Sequence, residues 1–269
     1  MRIEDIDPPR EQRGAADDIL RTLEAYGLHW DADVLYQSTR TSVYRDIAHD
    51  LVNRGHAFRC SCSRKDVQSA SALAASQVTD TPGGNHVDAR RYPGTCRTRV
   101  RHEGSTAIRM RVDEQIVRFD DGLQGPVEID LAATEGDYLI YRRDGLPAYH
   151  LAVVVDDAHQ GVTSVVRGAD LLTATGVHRH LQRQLRIASP RYWHVPVLVD
   201  AHGAKLSKQT GAAPVGIGYS PATAMDVLRL LGLQPPQTLA NSGSQALWEW
   251  AIAHWRMAEL IGRSRIHSQ

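Results

Sequence analysis

Val195-Pro196-Val197-Leu198-Val199-Asp200-Ala201-His202-Gly203-Ala204-Lys205-Leu206-Ser207-Lys208-Gln209 is the stretch that decides the fold of this 269-residue chain. The apolar run 195–199 predicts a strand buried on both faces of a parallel sheet. A turn at 200–203 then delivers a lysine loop beyond the strand's carboxyl end, where open parallel sheets bind ligands. Two lysines three residues apart, with a small hydroxyl residue between them, suit a triphosphate. They would also balance the charge that develops when its α-phosphate is attacked. A lysine pair is ordinarily just a solvated loop. Here, however, only Lys65, Lys205 and Lys208 are lysines among 31 basic residues, and the rest are arginine. Concentrating two of the three in one tetrapeptide suggests a site that wants a compact ammonium on a flexible stem.

Working outward, 151–155 and 162–166 are further apolar runs and predict two more buried strands. A helix is expected at 175–187. Ile19, Leu20, Leu23 and Tyr26 recur at helical spacing within 13–27, which Gly27 closes. A second helix over 38–53 should turn Val43, Ile47, Leu51 and Val52 inward, with Gly55 past its end. Between these parts the character changes: a short strand at 57–62, a polar turn-rich stretch at 76–91, and Ala107–Val112 alternating as a half-exposed strand. Ser220-Pro221 reads as a cap and first helical residue, and Gly232 as that helix's end. Trp248, Trp250, Ile252, Trp255 and Leu260 suggest a closing helix. The expected fold is therefore α/β: a Rossmann-type parallel sheet with a metal-stapled insertion and a short helical tail. The boundaries are 1–56 for the first part of the Rossmann domain, 57–137 for the insertion, 138–215 for its second part with the lysine loop, and 216–269 for the tail.

All three cysteines, Cys60, Cys62 and Cys96, fall within that insertion. Thiolates so grouped point to structural zinc, although three cysteines leave a tetrahedral site one ligand short. Three buried thiols are the plain alternative. A disulfide between i and i+2 is strained and unsuited to a reducing compartment. Formal net charge is zero, with 31 basic and 31 acidic residues. That excludes a general nucleic-acid coat, which needs excess positive charge, but not a local basic patch. No apolar run approaches the ~20 residues of a membrane helix. The opening Met1-Arg2-Ile3-Glu4-Asp5 is polar where a secretory leader would be apolar, so a cytoplasmic protein is expected.

Four segments carry a family resemblance. Lys205–Gln209 resembles the KMSKS signature of class I aminoacyl-tRNA synthetases, in the form KLSKQ. Arg2-Ile3-Glu4-Asp5-Ile6-Asp7 resembles the R-I-E-D-T-D segment of the glutamyl-tRNA synthetases. Asp144–Asp157 resembles their stretch ending in V-V-D-D, and Gly161–Asp170 matches the next strand and turn. Cys60-x-Cys62…Tyr92-x-x-x-Cys96 is similar to the pattern of the glutamyl-queuosine branch, which also lacks an anticodon-binding domain.

The resemblance implies several roles. Glu4, Tyr149 and Arg167 would form a glutamate pocket, with Arg167 pairing bidentately with a carboxylate and Glu4 accepting from the α-ammonium. Lys205, Leu206, Ser207, Lys208 and Gln209 would bind ATP with Mg²⁺, with Lys208 stabilising developing charge and Lys205 supporting it. Tyr92 would complete a zinc site with Cys60, Cys62 and Cys96, with His86, Asp88 and His102 as rivals for the fourth place. The implied reaction is tRNA-independent adenylation of glutamate, then transfer to the queuosine of tRNA(Asp). A monomer is expected. In the family a strand, a Ser/Pro/Gly-rich turn and a HIGH-like helix start precede R-I-E-D; the expectation is a chain without them. Competing expectations are a shortened glutamyl-tRNA synthetase acting on tRNA(Glu), and a non-catalytic zinc-stapled tRNA-binding protein.

Overall fold

The computed structural model describes residues 1–63, 65–69, 92, 94–98, 105–113, 116–206 and 215–267. Arg2–Ile3 (β1) leads through Ala15–Ala25 (α1) to Leu35–Tyr36 (β2), which pairs with β1 in parallel. Thr41–Asn53 (α2) follows and buries Tyr44, Ala48 and Leu51. Val43, expected on that inner face, is 36% exposed, because the buried stripe runs through Tyr44 instead. Ala57–Cys60 (β3), Ala107–Met110 (β4) and, after the antiparallel hairpin of Ile116–Asp121 (β5) with Gly125–Asp130 (β6), Leu139–Tyr141 (β7) complete the middle region. Strands β3, β4 and β7 form one antiparallel sheet. The short helix Leu131–Thr134 (α3) is capped by Asp130, which accepts from the Ala133 N–H at 2.9 Å.

The run 151–155 is not a strand. It lies in the helix Tyr149–His159 (α4), whose residues Leu151–Asp157 are all buried. Five consecutive apolar residues have no period, so they fit a helix buried on every side as well as a buried strand. The second expected strand is displaced to Ser164–Gly168 (β8), where Val166 is 66% exposed. Leu172–Leu185 (α5) carries the chain over to Arg191–Val195 (β9), parallel to β8. Pro196, which has no N–H to donate, separates β9 from Val197–Val199 (β10), so the single strand expected at 195–199 is two. Ala107–Val112 is also corrected: β4 is mostly buried, and Arg109 lies over the Tyr92 ring, 4.1 Å from its centroid.

The tail starts as expected. Ser220 accepts from the Thr223 N–H at 3.2 Å at the head of Pro221–Leu230 (α6). A second helix, Ser244–Ala253 (α7), packs with it against Tyr26 at the end of α1. The tail does not close on a helix, however: Arg265–His267 (β11) adds in parallel to β10. In place of the one Rossmann-type sheet that the sequence suggested, the described residues pair in parallel as β1–β2, β8–β9 and β10–β11. Hydrogen bonding among the described residues does not join them into one sheet. The main core gathers Tyr44, Met110, Ile140, Leu151, Val154 and Leu181 from α2, the antiparallel strands, α4 and α5. Among the described residues no helix is long and apolar enough to cross a membrane.

Candidate active site and metal centre

Within the segment Arg2–Asp7, most charged residues are spent on holding it in place. Arg2 donates to Asp157 at 2.7 Å and to Gln160 at 3.0 Å. Asp5 accepts from the Ser38 N–H at 2.9 Å and its hydroxyl at 2.6 Å, and Asp7 takes Arg142 at 3.1 Å. Glu4 is partly exposed and pairs with Arg2 at 3.1 Å. Asp156 is fully buried and accepts from Gln37 at 2.9 Å, Arg40 at 2.8 Å and Tyr44 at 2.5 Å. The acidic pair Asp156-Asp157 thus fastens α4 to its surroundings.

Tyr149 opens α4 and is 37% exposed. Burial raises its phenol, and both the Arg167 guanidinium and the Glu4 carboxylate act on it. Of the three residues expected to bind glutamate, Tyr149 and Arg167 share His178 as a neighbour, the Tyr149 ring 5.8 Å from its ring and Arg167 hydrogen-bonded to it, while Glu4 is joined through Arg2 to Asp157 on the helix that Tyr149 opens. Arg167 stands near the end of β8 and, among the described residues, donates to neutral groups. Its Nε reaches His194 Nε2 at 3.2 Å and its Nη1 reaches His178 Nδ1 at 3.2 Å. Its Nη2 reaches Thr175 Oγ1 at 2.6 Å and the Leu171 carbonyl at 3.3 Å. Among the described residues, four of the five N–H groups of the guanidinium are thus engaged, against the bidentate fork that the sequence suggested. Asp121, Thr175, His178 and His194 were missed from sequence. They come from elements far apart in the chain, and no local motif marks them.

The histidines around Arg167 are neutral. Burial, then Arg167, pushes His150 down to about 4. Burial, then His150 and Arg167, holds His178 well below the usual range. Burial likewise takes His180 down to about 4. An unfolded histidine titrates near 6.5, so between about 6.5 and 4 the unfolded chain binds protons that the native chain refuses. Stability is then full above that window and is lost as pH falls through it. The unfolding temperature is expected to be lower at about pH 5 than at about pH 7.5 by more than the ~2–4 °C that 1 kcal/mol produces in a domain of this size. Equal values would show that these rings are solvated.

The lysine loop starts where expected. Asp200 Oδ1 accepts the N–H groups of His202 at 2.8 Å and Ala204 at 2.9 Å, and Leu206 N–H returns to the Leu198 carbonyl at 2.9 Å. Lys205 Nζ reaches Asp170 at 2.5 Å. A Cβ on Gly168 would force that Asp170 carboxylate to shift. Ser207, Lys208 and Gln209 lie outside the described residues.

Cys60, Cys62 and Cys96 bring their sulfurs within 4.8 Å of one another. Cys62 and Cys96 are 3.5 Å apart, and the Tyr92 hydroxyl lies 3.5 Å from Cys60 and 3.8 Å from Cys62. Tetrahedral ligands at ~2.3 Å from a zinc are ~3.8 Å from one another, so three sulfurs and a phenol oxygen fit one cation. In the metal-free chain burial pushes the Cys62 thiol up to about 12, with Cys96 adding to it. At Cys96 burial is outweighed by hydrogen bonds from Tyr92 and the Ser61 backbone, leaving it at about 7. Burial raises Tyr92 as well. A bound cation reverses that preference. The Cys96 N–H on the Tyr92 oxygen at 2.7 Å and the Arg109 guanidinium over its ring both favour the phenolate. The rivals His86, Asp88 and His102 lie outside the described residues.

The family model described as tRNA synthetases class I (E and Q), catalytic domain, matches residues 1–247. Among curated proteins, the Glutamyl-Q tRNA(Asp) synthetase of Aromatoleum aromaticum is 45% identical over 262 residues, covering 97% of this chain and 79% of its own length. Those of Photobacterium profundum and Methylococcus capsulatus are 42% and 41% identical, covering 97% and 99% of this chain and 80% and 83% of theirs. Among solved structures, a glutamate tRNA ligase from Elizabethkingia meningosepticum in complex with its amino acid aligns with TM-score 0.75 at 19% identity. The chain is fully covered in that alignment and spans 60% of that protein's chain; at this identity the likeness is one of fold.

Proposed function

The chain belongs to the class I tRNA synthetases for glutamate and glutamine, and from that premise we propose that it activates glutamate with ATP and transfers it to the queuosine of tRNA(Asp). The carrying observation is that Arg167 and Tyr149 flank the same His178, in a chain whose curated relatives bear the name Glutamyl-Q tRNA(Asp) synthetase. The N–H of Arg167 that no described residue engages takes a glutamate carboxylate, Tyr149 adds a hydroxyl, and Glu4 accepts from the α-ammonium. With glutamate so fixed, its other carboxylate attacks the α-phosphate of ATP and releases pyrophosphate. Lys205 and Lys208 neutralise the charge that builds on the phosphates, and Mg²⁺ accompanies the ATP. A hydroxyl of the queuosine cyclopentenediol then displaces AMP from the adenylate.

Zinc held by Cys60, Cys62, Cys96 and Tyr92 has a structural role in this scheme, since all four ligand positions are filled by protein. The protein acts in the cytoplasm, where its tRNA is, and as a monomer.

The test is glutamate-dependent exchange of pyrophosphate into ATP without tRNA, followed by charging of tRNA(Asp) with and without queuosine. Exchange without tRNA, and label retained only on the queuosine-bearing tRNA, are expected. Charging of tRNA(Glu) instead would make the chain an ordinary glutamyl-tRNA synthetase. Binding of tRNA with no exchange would make it a non-catalytic binder.

A further inference from the structure

The acceptors around Arg167 are themselves fixed in a particular protonation pattern. A guanidinium has only donors, so His194 must present the lone pair of Nε2 to it and carry its proton on Nδ1. That Nδ1 lies 2.6 Å from Asp121 Oδ2, and both side chains are fully buried. Asp121 cannot turn away, because its other oxygen accepts the backbone N–H groups of Leu123 at 3.0 Å, Gln124 at 2.9 Å and His194 at 3.1 Å. Thr175 sits between the two, 2.6 Å from Arg167 Nη2 and 2.9 Å from His194 Nε2. On the far side of the guanidinium, His178 offers Nδ1 to Arg167, so it carries its proton on Nε2, directed at His150 Nδ1 at 3.1 Å. The cation is thus gripped between two neutral imidazoles in opposite tautomers.

We propose that Asp121 and His194 are positioning residues for the glutamate site. Asp121 selects the Nδ1–H tautomer of His194, and the Nε2 lone pair then holds the Nε–H edge of Arg167, so that its remaining N–H is aimed at the substrate carboxylate. This rests on reading Arg167 as the residue that recognises glutamate. The plain alternative is that Asp121–His194 merely ties β5 to β9, in which case any substitution that preserves the fold would leave glutamate affinity alone.

Three substitutions in the full chain separate the two. In Asp121→Asn the amide oxygen keeps the three backbone hydrogen bonds, while its NH₂ faces His194 Nδ1 and forces the proton onto Nε2, against Arg167. His194→Gln places a carbonyl where Nε2 stood and keeps an acceptor for Arg167. His194→Asn instead keeps a donor for Asp121 and offers Arg167 nothing. Glutamate and ATP affinities are read by calorimetry, and the tautomer of His194 by ¹⁵N NMR.

The expected results are an Nδ1–H imidazole in the unchanged chain and an Nε2–H imidazole in Asp121→Asn. Glutamate should bind about tenfold or more weakly in Asp121→Asn and His194→Asn, as for loss of one hydrogen bond to a charged group. Binding should be near normal in His194→Gln, with ATP affinity level throughout. Equal loss in His194→Gln and His194→Asn would overturn the proposal, as would an Nε2–H imidazole in the unchanged chain or unaltered glutamate binding in Asp121→Asn. A chain that binds glutamate in the expected order yet performs no pyrophosphate exchange would sink activation and leave this positioning role standing.

Discussion

Protein purified without added metal is expected to carry close to one zinc per chain, and Cys62→Ser to carry almost none. The apolar packing around the cluster is small: Phe58, Cys60, Tyr92 and Cys96 are its buried members, with Cys62 and Val67 beside them. Side chains of this kind contribute ~1.5–3 kcal/mol each when fully buried, whereas a structural zinc contributes roughly 10–16 kcal/mol of apparent binding energy. A bound zinc would therefore outweigh any one of these side chains in the local stability. Its loss should also free Arg97, which joins the cysteine turn to Asp137 at 2.6 Å and thereby to the Val112 N–H. Elemental analysis and thermal unfolding of the two proteins side by side make the measurement. Tyr92→Phe should retain more metal than Cys62→Ser, since three thiolates remain. A metal-free chain of undiminished stability would sink the zinc assignment.

Arg167→Ala should weaken glutamate binding by about 10–100-fold, because one hydrogen bond to a charged group is worth ~1.5–3 kcal/mol. Tyr149→Phe removes a neutral hydroxyl and should cost only about 2–10-fold. Lys208→Ala belongs to a different category. Its charge matters most where negative charge develops in the transition state, so exchange should slow while glutamate affinity changes little. Glutamate affinity by calorimetry, set beside the exchange rate, separates the three. Equal effects on affinity would show that the residues do not divide the work in this way.

Sequence made legible the residues whose partners are close along the chain or carried in motifs. The start of α6 at Ser220-Pro221 needed only a cap and a proline, and Gly27 and Gly232 end their helices with φ of +70° and +86°. The resemblance placed Cys60, Cys62, Tyr92 and Cys96 together, and their ligand atoms meet. What failed had no local signature. Leu151–Val155 hides its helical period because every side of α4 is buried. Asp121 and His194 meet across a hairpin and a crossover, so neither stands out alone. The alternation of Ala107–Val112 suggested a wet face, but the arginine on it covers an aromatic ring.

The pairing of β10 with β11 bears on how the protein is made. Strand Val197–Val199 is the stem from which the lysine loop springs, and among the described residues its hydrogen-bonded strand partner is Arg265–His267, much later in the sequence. Gln124 fastens the same region, donating to the carbonyls of His194 at 2.8 Å and Arg263 at 2.9 Å. On the ribosome, at roughly 5–20 residues per second, Val199 waits roughly 3–13 s for Arg265 to be added. Throughout that interval the stem is an open strand edge, the kind that recruits other chains. The strand beneath the lysine loop thus gains its partner well after β8 and β9 have both been made.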